Sequence, residues 1–547
     1  MSRLTTLRCL AAVCLAGATV IVPAAAQQGR WASLPSVTDD SLERLRLAQI
    51  LGQQDPDGFL LRSASTLLGA STPTSRHWTV FRPELNVTIN SAIPFSMNDG
   101  SMWAGRGRSH LIRVGGSARF ARAWLVVAPE WGYSRNSVFT GPDQPPHSHP
   151  LPAGRNPFSS PWHTVPLSAD LPVRFGNNRF TYLDPGQSSL GVDAGPVDVG
   201  VGTENLWWGP GIRNAIVMSN NAAGFPHAFL RTARPVATRA GWFEGTWIIG
   251  GLSESRFFDG NAANDLRSIA GLAFTWRLRW APGLTVGATR AVYAPVSSWG
   301  AAVPRIFNVF ARTGRPNARP TSDSTMTPGR DQVYSVFARW IFPDEGLETY
   351  AEWSRTEFPS SLREWFTAPN HTQGFTVGFQ WARPLPAATL RLQAEMTYLE
   401  HDPTFRDQPQ GTYYTSRSVE QGYTQRGQVI GAAIGPGASS QWLGVDYVAK
   451  TWSVGLVGTR VRWENDALYD LPDGRTNGLI YCSHDVSLMG GVRSAWASPV
   501  GKLETSVLTG PRYNMFFRNF GAPACGVPLA GGDVSNTMLG MRFVPAW

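Results

Sequence analysis

Apolar and polar residues alternate along most of the chain after about residue 78. The clearest stretch is Ser268–Trp280, where apolar side chains recur at every second position and the series includes two tryptophans. Thr389–Glu400 and Gly374–Trp381 repeat the pattern, with Arg, Glu, Gln and Thr between the apolar positions. Successive side chains of a strand point to opposite faces, so a period of two is typical of strands. The pattern predicts an all-β protein.

A soluble β-sandwich and a membrane β-barrel both alternate in this way. Three features favour the barrel. The polar faces carry ions and amides that suit a wet lumen, the apolar faces end in aromatic residues as a girdle would, and the pattern continues for about 450 residues without a change of composition. We therefore predict an antiparallel transmembrane barrel of the outer membrane over residues 76–547, with roughly 16–18 strands, an even number.

The end of the chain supports the barrel. Counting back in twos from Trp547 gives an apolar stripe of Pro545, Phe543, Met541 and Leu539. This stripe resembles the last strand of bacterial outer-membrane proteins, which commonly ends in Phe or Trp. Proline interrupts a ladder of hydrogen bonds, so Pro545 is expected at the end of the strand.

The start of the chain has a different pattern. Residues 1–26 read as a secretory signal, with Arg3 and Arg8 before an apolar stretch and alanines before Gln27. Over residues 27–75 the period becomes helical, first in Asp39–Gln53 and again near Phe59–Leu68. We predict a small helical segment on the periplasmic side, outside the main body of the barrel.

Composition agrees with this architecture. Of the 547 residues only 16% are charged, whereas 11% are aromatic and 22 are Trp. A disordered chain would have fewer aromatic and apolar residues, and no run after residue 26 approaches the ~18–20 apolar residues of a spanning helix. Three connections rich in Pro, Gly and Ser read as long outer loops or as loops that fold back into the lumen: Gly141–Pro172, Pro304–Arg330 and Leu468–Ile480.

Enzyme and metal signatures are missing from the sequence. It contains no HExxH, GxSxG or Walker motif, and His147 and His149 lie in a proline-rich loop without further ligands at metal spacing. We expect neither catalysis nor a cofactor. Cys482 and Cys525 are the two cysteines beyond the signal, and in an exported protein they could form a disulfide or remain separate thiols.

One segment carries candidate chemistry. Two adjacent tryptophans, Trp207 and Trp208, precede a Gly-Pro-Gly turn. A Trp face beside amides and guanidinium groups suits sugar rings, because CH groups stack on the ring while polar groups bind the hydroxyls. The competing interpretation is a tight turn with one girdle Trp and one packed Trp. The polar residues that follow the turn are Arg213, Asn214, Asn220, Asn221 and Arg231.

The residues from Trp207 to Arg231 resemble the Trp-Trp-Gly-Pro-Gly … Ser-Asn-Asn-Ala … Arg signature of the Wzi capsule-assembly family. A second block, with Tyr423 and Arg426 followed by Ile430–Gly437, resembles the family's Gly-Tyr … Gly segment, and Glu348–Trp353 resembles its Tyr-x-Glu strand. The resemblance implies an outer-membrane barrel with a small periplasmic helical piece. It also implies a non-enzymatic, lectin-like protein that binds capsular or other exported polysaccharide and helps to attach it at the cell surface.

The charge of the chain indicates which molecules it could bind. The net charge is +9, and nearly all cations are Arg, since Lys450 and Lys502 are the two lysines. Arginine binds carboxylates and phosphates in a bidentate manner, so acidic polysaccharide and outer-membrane lipopolysaccharide are both natural partners, although a preference for Arg codons would give the same composition. The export signal argues against nucleic acid. We expect a monomer.

Three functions remain open at this stage, and one of them, an outer-membrane enzyme, would need a nucleophile and a base that converge in one place. A polysaccharide-binding barrel would use nine residues, with Trp and Tyr stacking on sugars and Asn and Arg contacting hydroxyls or carboxylates. A diffusion porin would need the same barrel with an open lumen. The nine candidate residues are Trp207, Trp208, Arg213, Asn214, Asn220, Asn221, Arg231, Tyr423 and Arg426.

Overall fold

The computed structural model describes residues 33–69, 77–140, 158, 169–311, 313, 329–359, 361–406, 408, 410–468, 484–517 and 532–546. The predicted signal, both candidate disulfide cysteines, His147, His149 and Trp547 lie outside these residues. No helix in the described ranges is both long enough and apolar enough to span a membrane.

Eighteen antiparallel strands form one closed barrel, as the alternation predicts. Three of them are interrupted and are counted once each. In chain order the strands are β1 His77–Asn90, β2 Gly107–Phe120, β3 Ala123–Val127 with Glu130–Ser134, β4 Phe180–Asp184 with Ser189–Asp193, β5 Val197–Gly202, β6 His227–Thr232 with Val236–Ala237, β7 Gly241–Ser253, β8 Leu266–Leu278, β9 Leu284–Pro295, β10 Asp331–Phe342, β11 Leu347–Arg355, β12 Gln373–Pro384, β13 Ala388–Tyr398, β14 Ser439–Ala449, β15 Trp452–Arg462, β16 Val486–Ser498, β17 Gly501–Tyr513 and β18 Val534–Pro545.

The connections differ in length at the two ends of the barrel. At one end they contain two to five residues, and at the other they contain 12 to 45. Outer-membrane barrels have short periplasmic turns and longer outer loops. We call these the short-turn end and the long-connection end.

The predicted faces of the strands are confirmed. In β13, Gln393, Glu395 and Thr397 point inward and are almost fully buried, while Met396 is 37% exposed on the outer surface. The final strand follows the predicted stripe, with Leu539 and Met541 outside. Similar outward residues form an apolar belt: Leu125, Val199, Phe274, Val336, Leu443, Leu456, Val492 and Val507.

Aromatic rings gather on the outer surface toward the short-turn end. Trp452 stacks on Trp496 with ring centroids 5.7 Å apart, and Trp276 contacts Trp280 edge to face. Aromatic rings near the end of a membrane barrel lie at the boundary between the lipid hydrocarbon and water, where they form a girdle. They agree with the aromatic strand ends predicted from the sequence.

The barrel closes where β1 meets β18. Only Leu85–Ile89 of β1 pairs with β18, whereas twelve residue pairs join β17 to β18. A bulge between Phe81 and Glu84 interrupts the pairing of β1 with β2. The seam between the first and last strands is therefore short.

Helix α1, Asp40–Ile50, begins within one residue of the predicted start, with the Asp39 side chain accepting a hydrogen bond from the Leu42 amide at 2.9 Å. The prediction that it lies outside the main body is wrong. Leu47 and Ile50 pack against Ala382 and Val448 on the inner wall, and the described residues from Ser33 onward form one compact unit. Helix α1 occupies the lumen at the short-turn end.

The remaining helices are short. Helix α2, Ala64–Gly69, also lies before the barrel, and the others belong to the long connections. They are α3 Trp299–Ala302, which continues into a 3-10 helix over Val303–Phe310, α4 Leu362–Thr367, and the 3-10 turns Pro403–Arg406, Asn465–Leu468 and Met515–Phe517.

Candidate functional site

Segments of the long connections fill much of the lumen. Trp207 and Trp208 form a two-residue strand inside the barrel that pairs with Leu61 and Arg62. The guanidinium of Arg62 lies 4.8 Å from the centre of the Trp207 ring. Both tryptophans are buried, at 0% and 1% exposure, so neither is a girdle residue and neither has a free face for a sugar ring.

Trp208 belongs to an apolar cluster that includes residues of the internal segments and of the inner wall. Its ring lies so close to Gly271 of β8 that a Cβ there would stand 2.7 Å from it. Its amide donates to the Met218 carbonyl at 3.1 Å. The turn that follows needs glycine, because Gly209 has a φ of 119°. The double-tryptophan motif therefore joins the internal segments to the wall.

The two sequence blocks meet in the structure. The Tyr423 hydroxyl donates to the Val217 carbonyl at 2.8 Å, and Tyr414 donates in the same way to Ile216 at 2.7 Å. Their rings are stacked, with centroids 5.8 Å apart. Asn221 adds a bond from its side-chain amide to the Val429 carbonyl at 3.0 Å. Tyr423 and Asn221 thus hold one lumenal segment against another.

The candidate arginines Arg231 and Arg426 are both ion-paired. Arg231 points inward from β6 and lies 3.6 Å from Asp198 and 3.5 Å from Glu204. Its guanidinium stacks 4.4 Å from the centre of Phe229. Arg426 pairs with Asp184, and 45% of its side chain is exposed. Arg231 is buried and links the barrel wall to the internal segments. The side chain of Arg426, by contrast, remains partly accessible to solvent.

A cavity of about 430 Å³ remains in the lumen. Helix α1 lies along it, and β1, β2 and β13–β18 supply most of its wall. Three of the nine candidate residues line it: Arg213, Asn214 and Asn220.

Backbone contacts position this part of the motif. The Glu395 carboxylate on β13 accepts from the amides of Ile212, at 2.6 Å, and Asn214, at 2.8 Å. The Asn214 side chain donates to Ser440 at 3.2 Å, and that of Asn220 donates to the Asn98 carbonyl at 2.8 Å. The motif's polar end is therefore fixed to the wall beside the cavity.

Charged groups and the half-buried ring of Trp442 line part of the cavity. Glu43 of α1 lies 3.4 Å from Arg213, 2.7 Å from Arg391 and 3.1 Å from Arg493. Burial would raise the pKa of Glu43, but Arg493, Arg391 and Arg213 outweigh it and hold the pKa far below its ordinary value. Trp442 of β14 faces the same space and is half-buried, with Arg213 at 4.3 Å from its ring centre.

Asp99 is a further ionisable group of the lining. It lies in the connection between β1 and β2, where its carboxylate accepts from the Ser96 hydroxyl at 2.8 Å. Burial raises its pKa to about 6, although hydrogen bonds from Ser96 and Met97 oppose the shift. The cavity therefore contains a carboxyl group that can donate a hydrogen bond in mildly acidic solution.

Sequence reasoning missed Trp442 and Glu43. Trp442 had a usable signal, since it alternates with the lipid-facing Leu443 and Val445 and shares the inner face with Asp446. No comparable signal marks Glu43, because its role depends on arginines from distant strands. In the parts of the chain that the structure describes, no three His, Cys, Asp or Glu residues are grouped to hold a metal ion.

Comparison with solved structures gives several outer-membrane barrels. Wzi of Escherichia coli, described as a carbohydrate-binding β-barrel involved in group 1 capsule assembly, is 12% identical, with 85% of each chain covered and a TM-score of 0.49. OccK9 of Pseudomonas aeruginosa is 10% identical over 86% of this chain and 98% of that chain, with a TM-score of 0.36. A BenF-like porin from Pseudomonas fluorescens is 8% identical over the same shares, with a TM-score of 0.40.

Among curated proteins, none matches the chain significantly. The model of the family described as capsule assembly protein Wzi matches residues 95–449, which is more than half of the chain. That range includes the internal segments and most of the wall, but not α1. The closed barrel, its apolar belt and its aromatic girdle locate the protein in the outer membrane. The chain thus belongs to the Wzi capsule-assembly family.

Proposed function

We propose that this protein binds exported polysaccharide in its lumenal cavity and helps to attach it at the cell surface, without catalysing a reaction on it. The observation that carries the proposal is the cavity itself, which is lined by Arg213, Asn214 and Asn220 of the family motif and by Trp442, whose ring lies next to Arg213. It combines one half-buried aromatic face with amide, guanidinium and carboxylate groups, which is the chemistry that sugar rings require.

The balance of charges supports a ligand rich in hydroxyls. Seven arginines line the cavity, but so do eight carboxylates, and many of these groups pair with each other. Arg493 contacts Asp446 at 2.7 Å, and Arg542 contacts Glu84 at 2.9 Å. Paired ions offer donors and acceptors side by side, which suits hydroxyl groups that both donate and accept. The overall excess of arginine therefore does not by itself require an acidic glycan.

The other candidate residues contribute indirectly in this proposal. Trp207, Trp208 and Tyr423 hold the internal segments together, and Arg231 fixes them to the wall. Arg213, Asn214, Asn220 and Trp442 contact the glycan. Asn221 belongs with the first group, because its side chain bonds to Val429 inside the filling.

The test compares two tryptophans. The detergent-purified protein is titrated with surface polysaccharide from its own host, and Trp442→Ala is compared with Trp496→Ala, which removes a half-exposed Trp from the outer girdle. We expect Trp442→Ala to weaken binding about tenfold, equivalent to about 1.4 kcal/mol, and the control to leave it unchanged. Arg213→Ala should weaken binding as well. Wild-type affinity in both cavity variants would contradict the proposal, as would no binding by the folded wild type.

A further inference from the structure

The connection between β9 and β10 folds over the outside of the barrel. The sequence predicted Pro304–Arg330 as an outer loop or a loop inside the lumen, but its described start packs on the outer wall. Val309 and Ile306 contact Ile249 of β7 and Ala270 of β8. We call Trp299–Ala311 the outer flap.

Its attachment is specific. The Trp299 ring lies on Gly251 so closely that a Cβ at that glycine would stand 1.6 Å from it. The Trp247 indole donates to the Ile306 carbonyl at 3.2 Å, and its ring contacts Phe307 and Phe310 edge to face. Ala270 lies in the half of β8 nearer the long-connection end, which begins at Leu266. The outer flap therefore covers the outer half of the wall.

The outer flap covers a charge on the lipid-facing surface. Arg290 is near the middle of β9, between Leu272 and Tyr334 of the neighbouring strands. Its inward neighbours Thr289 and Ala291 are buried in the lumen. The Arg290 guanidinium donates to the carbonyls of Val309, at 2.6 Å, and Ala311, at 2.8 Å.

Other partners complete the enclosure of Arg290. Gln332 accepts at 2.6 Å, and the ring of Phe358 lies 4.7 Å away. An uncovered arginine in the middle of a lipid-facing wall is strongly unfavourable. The partial negative charge at the C-terminus of the 3-10 helix in the outer flap stabilises the positive charge of Arg290. The outer flap is thus part of the wall that the membrane surrounds.

On its other side the outer flap exposes three large apolar side chains. Val303, Phe307 and Phe310 are 63%, 64% and 61% exposed. The segment contains no acidic residue and one basic residue, Arg305. Below it on the wall, Phe274 is 47% exposed and belongs to the apolar belt. The exposed face of the outer flap continues that belt.

We infer that the outer flap is embedded in the outer leaflet and binds the acyl chains of outer-leaflet lipid. Continuity with the belt favours lipid over a second copy of this chain. Three large side chains on a short helix also fall far short of the roughly 800 Å² per partner and 20–30 residues that a stable protein interface uses. The inference does not depend on the proposed polysaccharide binding.

The first experiment uses photocrosslinking in intact outer membranes. The photoreactive residue p-benzoylphenylalanine replaces Phe307, Phe274 on the belt, or Trp442 in the lumen. We expect a lipid adduct at Phe307 with a yield similar to that at Phe274, and none at Trp442. An adduct of twice the protein mass at Phe307, or no lipid adduct there while Phe274 gives one, would overturn the inference.

The second experiment tests Arg290 as the attachment point. Arg305 is a trypsin site within the outer flap, and cleavage after it is measured by mass spectrometry in outer-membrane vesicles. We expect Arg290→Leu to increase that cleavage at least tenfold. The matched control, Arg383→Leu, removes an exposed outward arginine at the short-turn end and should leave cleavage unchanged. Equal protection of Arg305 in wild type and Arg290→Leu, with both barrels folded by gel mobility, would contradict the role of Arg290.

Discussion

The tryptophans of this barrel perform different tasks that composition cannot separate. Trp208 is enclosed by wall and filling, Trp496 faces the lipid side, and Trp442 faces the cavity. In the sequence, a Trp beside glycine and asparagine is equally compatible with sugar stacking and with tight packing. The burial of each ring in the structure distinguishes the two roles, because stacking on a ligand needs an exposed ring face.

Truncation of Trp208 tests this distinction. We expect Trp208→Ala to lower the free energy of unfolding by about 3–5 kcal/mol, since it leaves a large cavity in a packed core. Denaturant titration of the detergent-solubilised barrel measures the change, with Trp496→Ala as the comparison of equal size. Wild-type stability together with lost polysaccharide binding would instead make Trp208 a ligand contact.

Helix α1 illustrates the limit of sequence reasoning for a whole element. Its period is evident from the sequence, and the predicted start at Asp39 lies one residue before the observed start at Asp40. Its location was predicted wrongly, because the local pattern does not show that Glu43 and Arg46 have partners inside the barrel. Arg46 is in fact paired with Glu348 of β11, inside the barrel. Partners on strands about 300 residues away leave no trace in the local pattern.

The pH dependence of α1 docking follows from Glu43. Its folded-state pKa is lowered, because the three arginines outweigh the effect of burial. The stabilisation is therefore present above the ordinary pKa of 4.5 and is lost as the pH falls below it. Asp40, whose pKa Lys502 and Arg44 lower against burial, acts in the same direction.

Hydrogen exchange of Asp40–Ile50, corrected for intrinsic rates, measures that dependence. We expect protection of these amides to decrease between pH 5 and pH 3 in the wild type. Glu43→Gln should be less protected at pH 7 and should change less with pH. Protection independent of pH in the wild type would show that the Glu43 ion pairs do not hold the helix.

At the scale of the molecule, the packing of the lumen is the feature that distinguishes a binding barrel from a porin. Internal segments from the connections before β2, β6 and β14 share one packed cluster, and α1 occupies the short-turn end. Alternation, together with the polar inner faces and the aromatic strand ends, predicted the barrel, its inner and outer faces and a range that includes 18 strands. The alternation did not predict that internal segments fill the lumen. Segments packed on all sides have no period of two, so in the sequence they resemble loops.

Conductance checks the consequence of a filled lumen. We expect the purified protein to give no steady channels in a planar lipid bilayer, since ions would have to pass through the packed cluster. A parallel sample of a general porin confirms that the bilayer reports conductance. Stable, salt-dependent current steps from this protein would favour the porin function.

The short seam between β1 and β18 makes the closed cylinder mechanically uneven. The first and last strands lie over 400 residues apart in the sequence, so joining them costs loop-closure entropy. Only five residue pairs offset that cost here. We expect the seam to open more readily than the long ladders of the wall. Amide exchange should be faster in Leu85–Ile89 than in the middle of β8 or β13. A barrel whose closing joint is this short can widen sideways toward lipid at that joint while its longer ladders stay paired.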